Sequence, residues 1–340
     1  MSSAVEKKGS FGKWLPGVLI SLVLIILFLF LVDWQEFQQA LITIPFFVIL
    51  AVVLLTILAL ITRSFAWRNL LDGQISFRDA YFGENIGYLT NNFLPLRLGE
   101  IARGILVADK VEGGFTAVIP SIFLERLIDL GFAAFTLLIA IPFVVSERWM
   151  IPSVFVALMI VVIGGVFLYL SMKKAEVLEN LLHKVFRRFP KIDESILVLF
   201  RKFIQGLQLA LKGKNAIQAV FFLGLTWGLY WITYYVLIRA IAPEATFIWA
   251  LFTDGVVSLG IAIPSAPGSL GVWEASFVAA LAVFGVEQAK SLAIGLVLHL
   301  VNYAVTGLFG IIGLGIFGAS LTELLQRVRT QRNSSKTSCS

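Results

Sequence analysis

Long apolar runs constrain this chain more than any other feature of its sequence. Six of them are long enough to cross the ~30 Å hydrocarbon core of a bilayer as helices, at 14–32, 43–62, 116–145, 151–171, 216–241 and 291–318. Of the 340 residues, 59% are hydrophobic and only 14% are charged, whereas about 25% are charged in a typical soluble domain. The sequence therefore predicts an all-α integral membrane protein.

The same composition limits the partners of the chain. Its formal net charge is +6, yet so apolar a chain is neither disordered nor suited to bind nucleic acid. The expected surroundings are the lipid bilayer. Cys339 is the one cysteine, so an internal disulfide is impossible. The run at 14–32 ends at Asp33 without a small-residue cleavage site, and we interpret it as a retained first helix.

Two further apolar stretches, 80–94 and 249–263, are too short to cross a membrane. Each would reach only ~22 Å as a helix before Pro95 or Pro264. Proline lacks the N–H donor that continues a helix, and a glycine-containing break and a helix-like continuation follow each one. The pattern predicts two re-entrant hairpins beside about six transmembrane helices, or seven or eight spans if hairpins are counted.

The positions of lysine and arginine predict the orientation. Of the 27 such residues, 23 lie at the N-terminus, in 63–110, in 173–214 or in the C-terminal tail. Positively charged segments stay in the cytoplasm, which places both termini (1–13 and 321–340) there. The first hairpin then enters from the cytoplasm and the second from outside.

A weak internal similarity supports hairpins that enter from opposite faces. Residues 80–84 align with 250–254, and both tracts continue to a proline and a glycine. Inverted repeats of this kind occur in transporters whose substrate site lies near the membrane midplane. Shared apolar bias is the alternative explanation.

Residues 172–214 form the one sizeable polar stretch. Basic residues precede apolar positions at helical spacing, which predicts a cytoplasmic amphipathic helix on anionic lipid. A solvated linker with a basic face is the alternative. Forty residues cannot bury the core of a catalytic domain.

Sequence motifs for common enzyme classes are absent. The chain has no G-x-x-x-x-G-K-[ST], H-E-x-x-H or G-x-S-x-G motif, and its two histidines, His183 and His299, are far apart. We therefore predict no catalytic residue, no metal and no cofactor. Chemistry would have to come from the polar residues inside the membrane, which are costly there and usually functional.

The first group of such residues follows Asn91. Arg97, Glu100 and Arg103 are spaced by three, about one helical face. Two guanidinium groups can hold phosphate oxygens bidentately while Glu100 orients them. The alternative is an interfacial network whose charges reach the headgroups.

The second group lies inside the run at 116–145. Glu125, Arg126 and Asp129 can share one edge of a helix. They form either a structural clamp with Arg97 or Arg103, or a proton or substrate relay. Glu84 and Asp254 occupy matching places before the two breaks, and we predict that they are proton-coupling carboxylates.

The third group belongs to the second hairpin. A helix that begins after Gly271 would direct its positive dipole at an anion, although Glu274 would compete for that position. A tight turn without a ligand is the alternative. His299, Asn302 and Tyr303 place polar atoms on one face of the last long helix, which favours a hydrogen-bonded packing site.

These three groups also carry a resemblance. Asn92-Phe93-Leu94-Pro95-x-Arg97-x-Gly99-Glu100-x-x-Arg103, Glu125-Arg126-x-x-Asp129 and Pro264-x-x-Pro267-Gly268-x-x-Gly271-x-x-Glu274 resemble the signature blocks of the flippase-like family, the lysylphosphatidylglycerol synthase transmembrane region and its stand-alone relatives. The resemblance covers residues 14–320, which we take as one flippase-like domain.

The resemblance implies a protein that moves, or helps to move, a modified lipid between leaflets. Its implied substrate-binding residues are Arg97, Glu100, Arg103, Glu125, Arg126, Asp129 and Glu274. Full-length synthases carry an aminoacyl-transferase domain after the membrane part, and that activity is not expected here. Two hypotheses follow. The first is a translocase for an anionic or phosphate-bearing lipid in the cell membrane. The second is a membrane-embedded enzyme or accessory subunit of glycolipid or polyprenyl-phosphate-sugar metabolism, which presents a lipid-linked substrate to a glycosyltransferase.

Overall fold

The described part of the chain is entirely helical. The computed structural model describes residues 15–94, 97–144, 150–186, 190–262, 266–320 and Glu323; the predicted termini, Pro95, Pro264 and Cys339 lie outside these residues, apart from Glu323 in the tail. Within those ranges it contains thirteen α-helices and no strand. They are α1 (Leu15–Leu31), α2 (Trp34–Thr43), α3 (Phe46–Leu70), α4 (Phe77–Phe93), α5 (Leu98–Val107), α6 (Phe115–Val144), α7 (Met150–Lys173), α8 (Ala175–Phe186), α9 (Pro190–Ala210), α10 (Gly213–Ile241), α11 (Phe247–Gly260), α12 (Val272–Ala282) and α13 (Gln288–Ile316).

Four described helices, α3, α6, α10 and α13, are long and apolar enough to cross a membrane, and α1 with α2 can supply a fifth span. This confirms the all-α membrane fold, whereas six spans were predicted. The first predicted run, 14–32, forms α1, and it ends where the side chain of Asp33 accepts the first N–H groups of α2; α2 then turns away from α1 by 94°. The predicted span at 151–171 lies in α7, of which the described apolar part is the shorter Val162–Lys173.

Two short helical hairpins fill the space between the long helices. In the first, α4 and α5 pack so closely that a Cβ atom on Gly99 would lie 1.9 Å from the carbonyl oxygen of Gly87. In the second, a Cβ atom on Gly260 of α11 would lie 2.0 Å from Oγ of Ser276 on α12. With 17 and 14 residues, α4 and α11 reach only ~25 and ~21 Å. Both fold back instead of crossing ~30 Å of hydrocarbon.

The hairpins approach the long helices from opposite ends. The first packs on the beginning of α6, where Gly104 meets Phe115, and the second packs near its end, where Gly255 meets Leu137. On α13 the order is reversed, since Gly310 meets Leu89 of α4 and Gly295 meets Phe277 of α12. This packing is the one predicted for an inverted repeat.

The basic segment forms two helices, α8 and α9, rather than one. Gly206 of α9 packs on the backbone of α6 at Ala117, while Leu199 stays exposed. Arg201 donates to Glu179 of α8, and this hydrogen bond holds the pKa of the Glu179 carboxyl below its usual range. The segment is therefore amphipathic, and α9 also supports α6.

Candidate functional site

The turn of the first hairpin presents Arg97. Ser76 caps the start of α4 by accepting the N–H of Asp79, and the Asn91 side chain accepts the N–H of Gly99 at 2.7 Å, which ties the two arms together. Arg97 precedes α5 in a left-handed conformation, with φ of 53°. Its side chain is thereby directed away from the hairpin.

Behind this turn lies a group of seven ionisable side chains, which we call the charge cluster. Its members come from α3, α4, α5 and α6, and they are Arg63, Glu84, Glu100, Arg103, Glu125, Arg126 and Asp129. Three arginines face four carboxylates, and most members are buried. Charges at this depth are tolerable only when each has a partner.

Arg103 joins the hairpin to α6. Its guanidinium donates to Glu84 and to Glu125, at 2.8 Å in each case, and lies 4.6 Å from the ring centroid of Trp67. Glu125 is fully buried. The ion pairs therefore fix α5 between α4 and α6, which is the clamp that the sequence left open as one interpretation.

Arg63 is the member that sequence analysis missed. It was counted among the cytoplasmic cations, but α3 continues eight residues beyond the predicted run and places Arg63 in the core with 3% exposure. Arg63 donates to Glu125 and, at 3.2 Å, to Asp129. The apolar residues Phe65, Ala66, Trp67 and Leu70 after Arg63 are the signal that could have revealed it.

The remaining members line the open side of the cluster. Arg126 contacts Glu100 at 2.8 Å and Asp129 at 3.1 Å, and its side chain is 29% exposed. Trp227 of α10 donates its indole N–H to Asp129. A cavity of about 10 Å³ lies beside Glu100, Arg103 and Arg126, with room for about one water molecule.

The tips of the two hairpins meet at Arg97. One of its amino groups donates to the carbonyl oxygen of Ile261 at 3.0 Å. In the described part of the chain, Arg97 has no carboxylate within ion-pair distance, although it interacts electrostatically with Arg126, Glu100 and Asp129. Arg97 and Arg103 therefore share no partner, and Glu100 pairs with Arg126 instead of orienting the two.

Glu274 lies apart from the charge cluster, at the start of α12. One carboxylate oxygen accepts the N–H of Gly271 at 2.8 Å, which caps α12, and the other lies 2.5 Å from Nδ1 of His299. Glu274 thus occupies the helix N-terminus that an anion would need. Of the three residues predicted to form a hydrogen-bonded packing site, His299 makes such contacts across helices, while Asn302 donates to Leu298 of its own helix and the Tyr303 hydroxyl has no described partner.

The two predicted proton-coupling carboxylates differ in their surroundings. Glu84 belongs to the charge cluster through Arg103 and Arg63. Asp254 is buried on α11 and has an oxygen without a hydrogen-bond partner; no described lysine or arginine forms an ion pair with it. Within the described ranges, no His, Cys, Asp or Glu side chains group in a way that could hold a metal ion.

Comparison with known proteins gives relatives but no solved structure. UPF0104 membrane proteins of two archaea are similar to this chain. The one from Methanocaldococcus jannaschii is 26% identical, over 65% of this chain and 91% of the relative. One from Methanothermobacter thermautotrophicus is 27% identical, over 83% of this chain and 86% of the relative. The search of solved structures gave no significant match.

Residues 14–310 match the family model described as the lysylphosphatidylglycerol synthase transmembrane region. That stretch contains all four long apolar helices up to the last turns of α13, both hairpins and the whole charge cluster. The chain is therefore a multi-span membrane protein that belongs to the lysylphosphatidylglycerol synthase transmembrane region family.

Proposed function

We propose that this protein moves an anionic, phosphate-bearing lipid between the leaflets of the cell membrane. The observation that carries the proposal is the meeting of two oppositely directed hairpins at Arg97, beside the charge cluster. A charged headgroup cannot cross hydrocarbon without polar partners, and this is where the interior offers them. The first hairpin is taken to enter from the cytoplasm, with both termini on that side.

Arg97 is the residue that we assign to the headgroup. Its hydrogen bond to Ile261 uses one guanidinium amino group, which leaves donors for phosphate oxygens, and guanidinium binds phosphate bidentately. Arg126 is the second candidate, because it is partly exposed beside the cavity.

Charge balance suggests how the site accepts an anion. With Arg97, four arginines face the four carboxylates of the charge cluster. A bound phosphate adds negative charge, which a buried site tolerates only if a carboxylate withdraws or takes up a proton. Glu100 can withdraw from Arg126, since it lies beside the cavity. Glu84 and Asp254 remain the predicted proton carriers.

The other predicted site residues then have positioning roles. Arg103, Glu125 and Asp129, with Arg63, hold α5 and α6 in register behind Arg97. Phe93 and Leu270, close to the two turns, are exposed. Acyl chains can therefore stay in the lipid while the headgroup passes between the turns.

The proposal predicts that Arg97→Ala abolishes lipid movement. Hydrogen bonds to a charged group are worth about 1.5–3 kcal/mol, so the initial rate should fall at least about tenfold. A leaflet-resolved assay with labelled phosphatidylglycerol in proteoliposomes measures this rate. Arg239→Ala, at an exposed arginine that donates to Tyr235 on its own helix, is the matched control and should move lipid like the unmodified protein.

Two outcomes would count against the proposal. Full activity of the Arg97→Ala protein would remove the headgroup assignment. An unchanged leaflet distribution of every anionic lipid tested would remove the translocase, and would favour a subunit that holds a polyprenyl-phosphate-linked substrate for a glycosyltransferase.

A further inference from the structure

His299 fastens the turn of the second hairpin to α13. Its Nε2 atom lies 3.0 Å from the carbonyl oxygen of Gly268, and its Nδ1 atom lies 2.5 Å from Glu274. The ring stacks on Trp273 at 4.8 Å. Both His299 and Glu274 are buried. The imidazole of His299 therefore contacts the turn through one ring nitrogen and the start of α12 through the other.

This geometry requires a shared proton. A carbonyl oxygen only accepts, so Nε2 carries a hydrogen. Nδ1 faces a carboxylate oxygen, and two lone pairs cannot lie 2.5 Å apart, so a proton must lie between them. The pair is then either an imidazolium with a carboxylate or a neutral ring with a carboxylic acid. In both forms its net charge is zero, as burial favours.

No other charged group compensates the pair within the described residues. Tyr303 of α13 contacts the ring of His299 at 4.7 Å, and its hydroxyl has no hydrogen-bond partner. On α1, Ser21 accepts the N–H of Ala266. Neither is charged at neutral pH, so loss of the shared proton would leave one uncompensated buried negative charge.

The other elements around the turn direct their titratable groups elsewhere. Tyr234 of α10 stacks on Phe277, while Asp254 of α11 interacts with Tyr234. On α4, which contacts the turn at Pro267–Ser269, Glu84 and Tyr88 line the cavity of the charge cluster. Among the described residues, none of these groups forms an ion pair with Glu274 or His299. The two side chains of the pair therefore bind its proton without a third charged partner.

We propose that Glu274 and His299 form a binding site for one exchangeable proton, which fastens the second hairpin to α13. Resting on the proposed function, we further propose that lipid movement is coupled to release of this proton. The proton leaves to water, and no other bond is made or broken.

The turn of the second hairpin connects release of the proton with movement of the lipid. When the proton leaves, the ring keeps one N–H and can no longer donate to both Glu274 and Gly268, so one of the two contacts that fasten the turn is lost. Ser269 has φ of 60°, a left-handed conformation that costs a residue other than glycine free energy unless contacts hold it. The Ile261 carbonyl, which is the partner of Arg97, belongs to the same hairpin as the fastened turn.

The proton site can be tested without any lipid. The chain has two histidines, so His183→Gln leaves His299 as the single imidazole for ¹⁵N NMR of histidine-labelled protein in nanodiscs. We expect a protonated Nε2 at neutral pH, and an Nδ1 resonance shifted by the proton that it shares with Glu274. Glu274→Gln should leave a neutral ring protonated at Nε2, whereas Glu244→Gln, at an exposed glutamate outside the pair, should change nothing. An unprotonated Nε2, or the same spectrum after Glu274→Gln, would overturn the site.

Coupling is tested in proteoliposomes with labelled phosphatidylglycerol. If one proton accompanies each lipid, a gradient of one pH unit should shift the leaflet ratio about tenfold, and Glu274→Gln should abolish this response. Lipid movement that ignores the gradient would overturn the coupling alone. Absence of any lipid movement would remove the proposed function as well, while the NMR result would still decide whether the pair binds a proton.

Discussion

Arg103 lies between two carboxylates that it shares with Arg63. It donates to both Glu84 and Glu125, and the three side chains are buried. Removing one member of a buried ion pair leaves an uncompensated charge, which typically costs about 3–5 kcal/mol. The charge cluster is therefore the part of the interior most sensitive to single substitutions.

We predict that Arg103→Met lowers the free energy of unfolding by about 3–5 kcal/mol, because Glu84 and Glu125 lose one of the two arginines that they share, and Arg63 alone does not compensate both charges. Denaturant unfolding in detergent micelles, followed by circular dichroism, measures the loss. Lys110→Met, which removes a partly exposed pair with Asp79, should cost at most about 1 kcal/mol.

A second substitution separates charge from packing. Arg103→Met combined with Glu84→Gln should recover part of the lost stability, because one unpaired charge is removed with its partner. A double variant less stable than Arg103→Met would contradict the ion-pair explanation.

For single residues, the sequence predicted which charged side chains lie close together, but it did not predict which of them form ion pairs with each other. Glu100, Arg103, Glu125, Arg126 and Asp129 were grouped by spacing along single helices, and the structure brings them together, whereas Arg97 lies beside them and contacts Ile261 instead. Spacing relates residues of one helix only, so the pairings across helices could not be derived from it. Arg63 was missed because the apolar run was ended at the first charged residue.

The two hairpins depend on glycine where their arms touch. A Cβ atom on Gly99 would lie 1.9 Å from the carbonyl oxygen of Gly87 and 2.7 Å from the Asn91 side chain. A backbone oxygen cannot move aside without separating α4 from α5. The close contact between α4 and α5 therefore fixes the distance between Arg97, at the turn of the hairpin, and the charge cluster.

We predict that Gly99→Ala destabilises the protein by about 1–3 kcal/mol, the usual cost of overpacking. Thermal unfolding in detergent measures it. Gly228→Ala is the matched control, since nothing lies within 4 Å of a Cβ atom at that position of α10; alanine should raise stability there by about 0.5–1 kcal/mol. Equal stability of the two variants would contradict the close packing of the hairpin.

Short apolar length was a sufficient signal for the hairpins, and the end of the first run at Asp33 was predicted, whereas the helix α2 that follows it at an angle was not foreseen. Hydropathy records how apolar a stretch is, not its direction. The bend arises from local hydrogen bonds of the Asp33 side chain to the N–H groups of Gln35 and Glu36. Such a cap is common at soluble helix starts, and it was not considered within a membrane segment.

In the whole molecule, the two hairpins pack against opposite ends of the long helices α6 and α13. The first lies against the beginning of α6 and the end of α13, and the second lies against the opposite ends. Both arms of a hairpin must then return to the membrane face from which they entered.

We predict that single cysteines at Arg78 and Asp109, which flank the first hairpin, react with an impermeant maleimide only from the cytoplasm. Cysteines at Glu244 and Glu287, which flank the second, should react only from outside. All four positions are exposed, and Cys339→Ser removes the native thiol. Labelling of right-side-out and inverted vesicles measures sidedness, and reaction of Arg78 and Asp109 variants from different faces would contradict a re-entrant first hairpin.

The contact between the two hairpins joins a side chain to the main chain. Every residue type offers a carbonyl oxygen, so no substitution at Ile261 removes the acceptor, and only a change at Arg97 abolishes the bond. The side chain at position 261 can therefore change during evolution while the contact between the two hairpins is kept. The contact between the hairpins depends on the identity of one residue, Arg97.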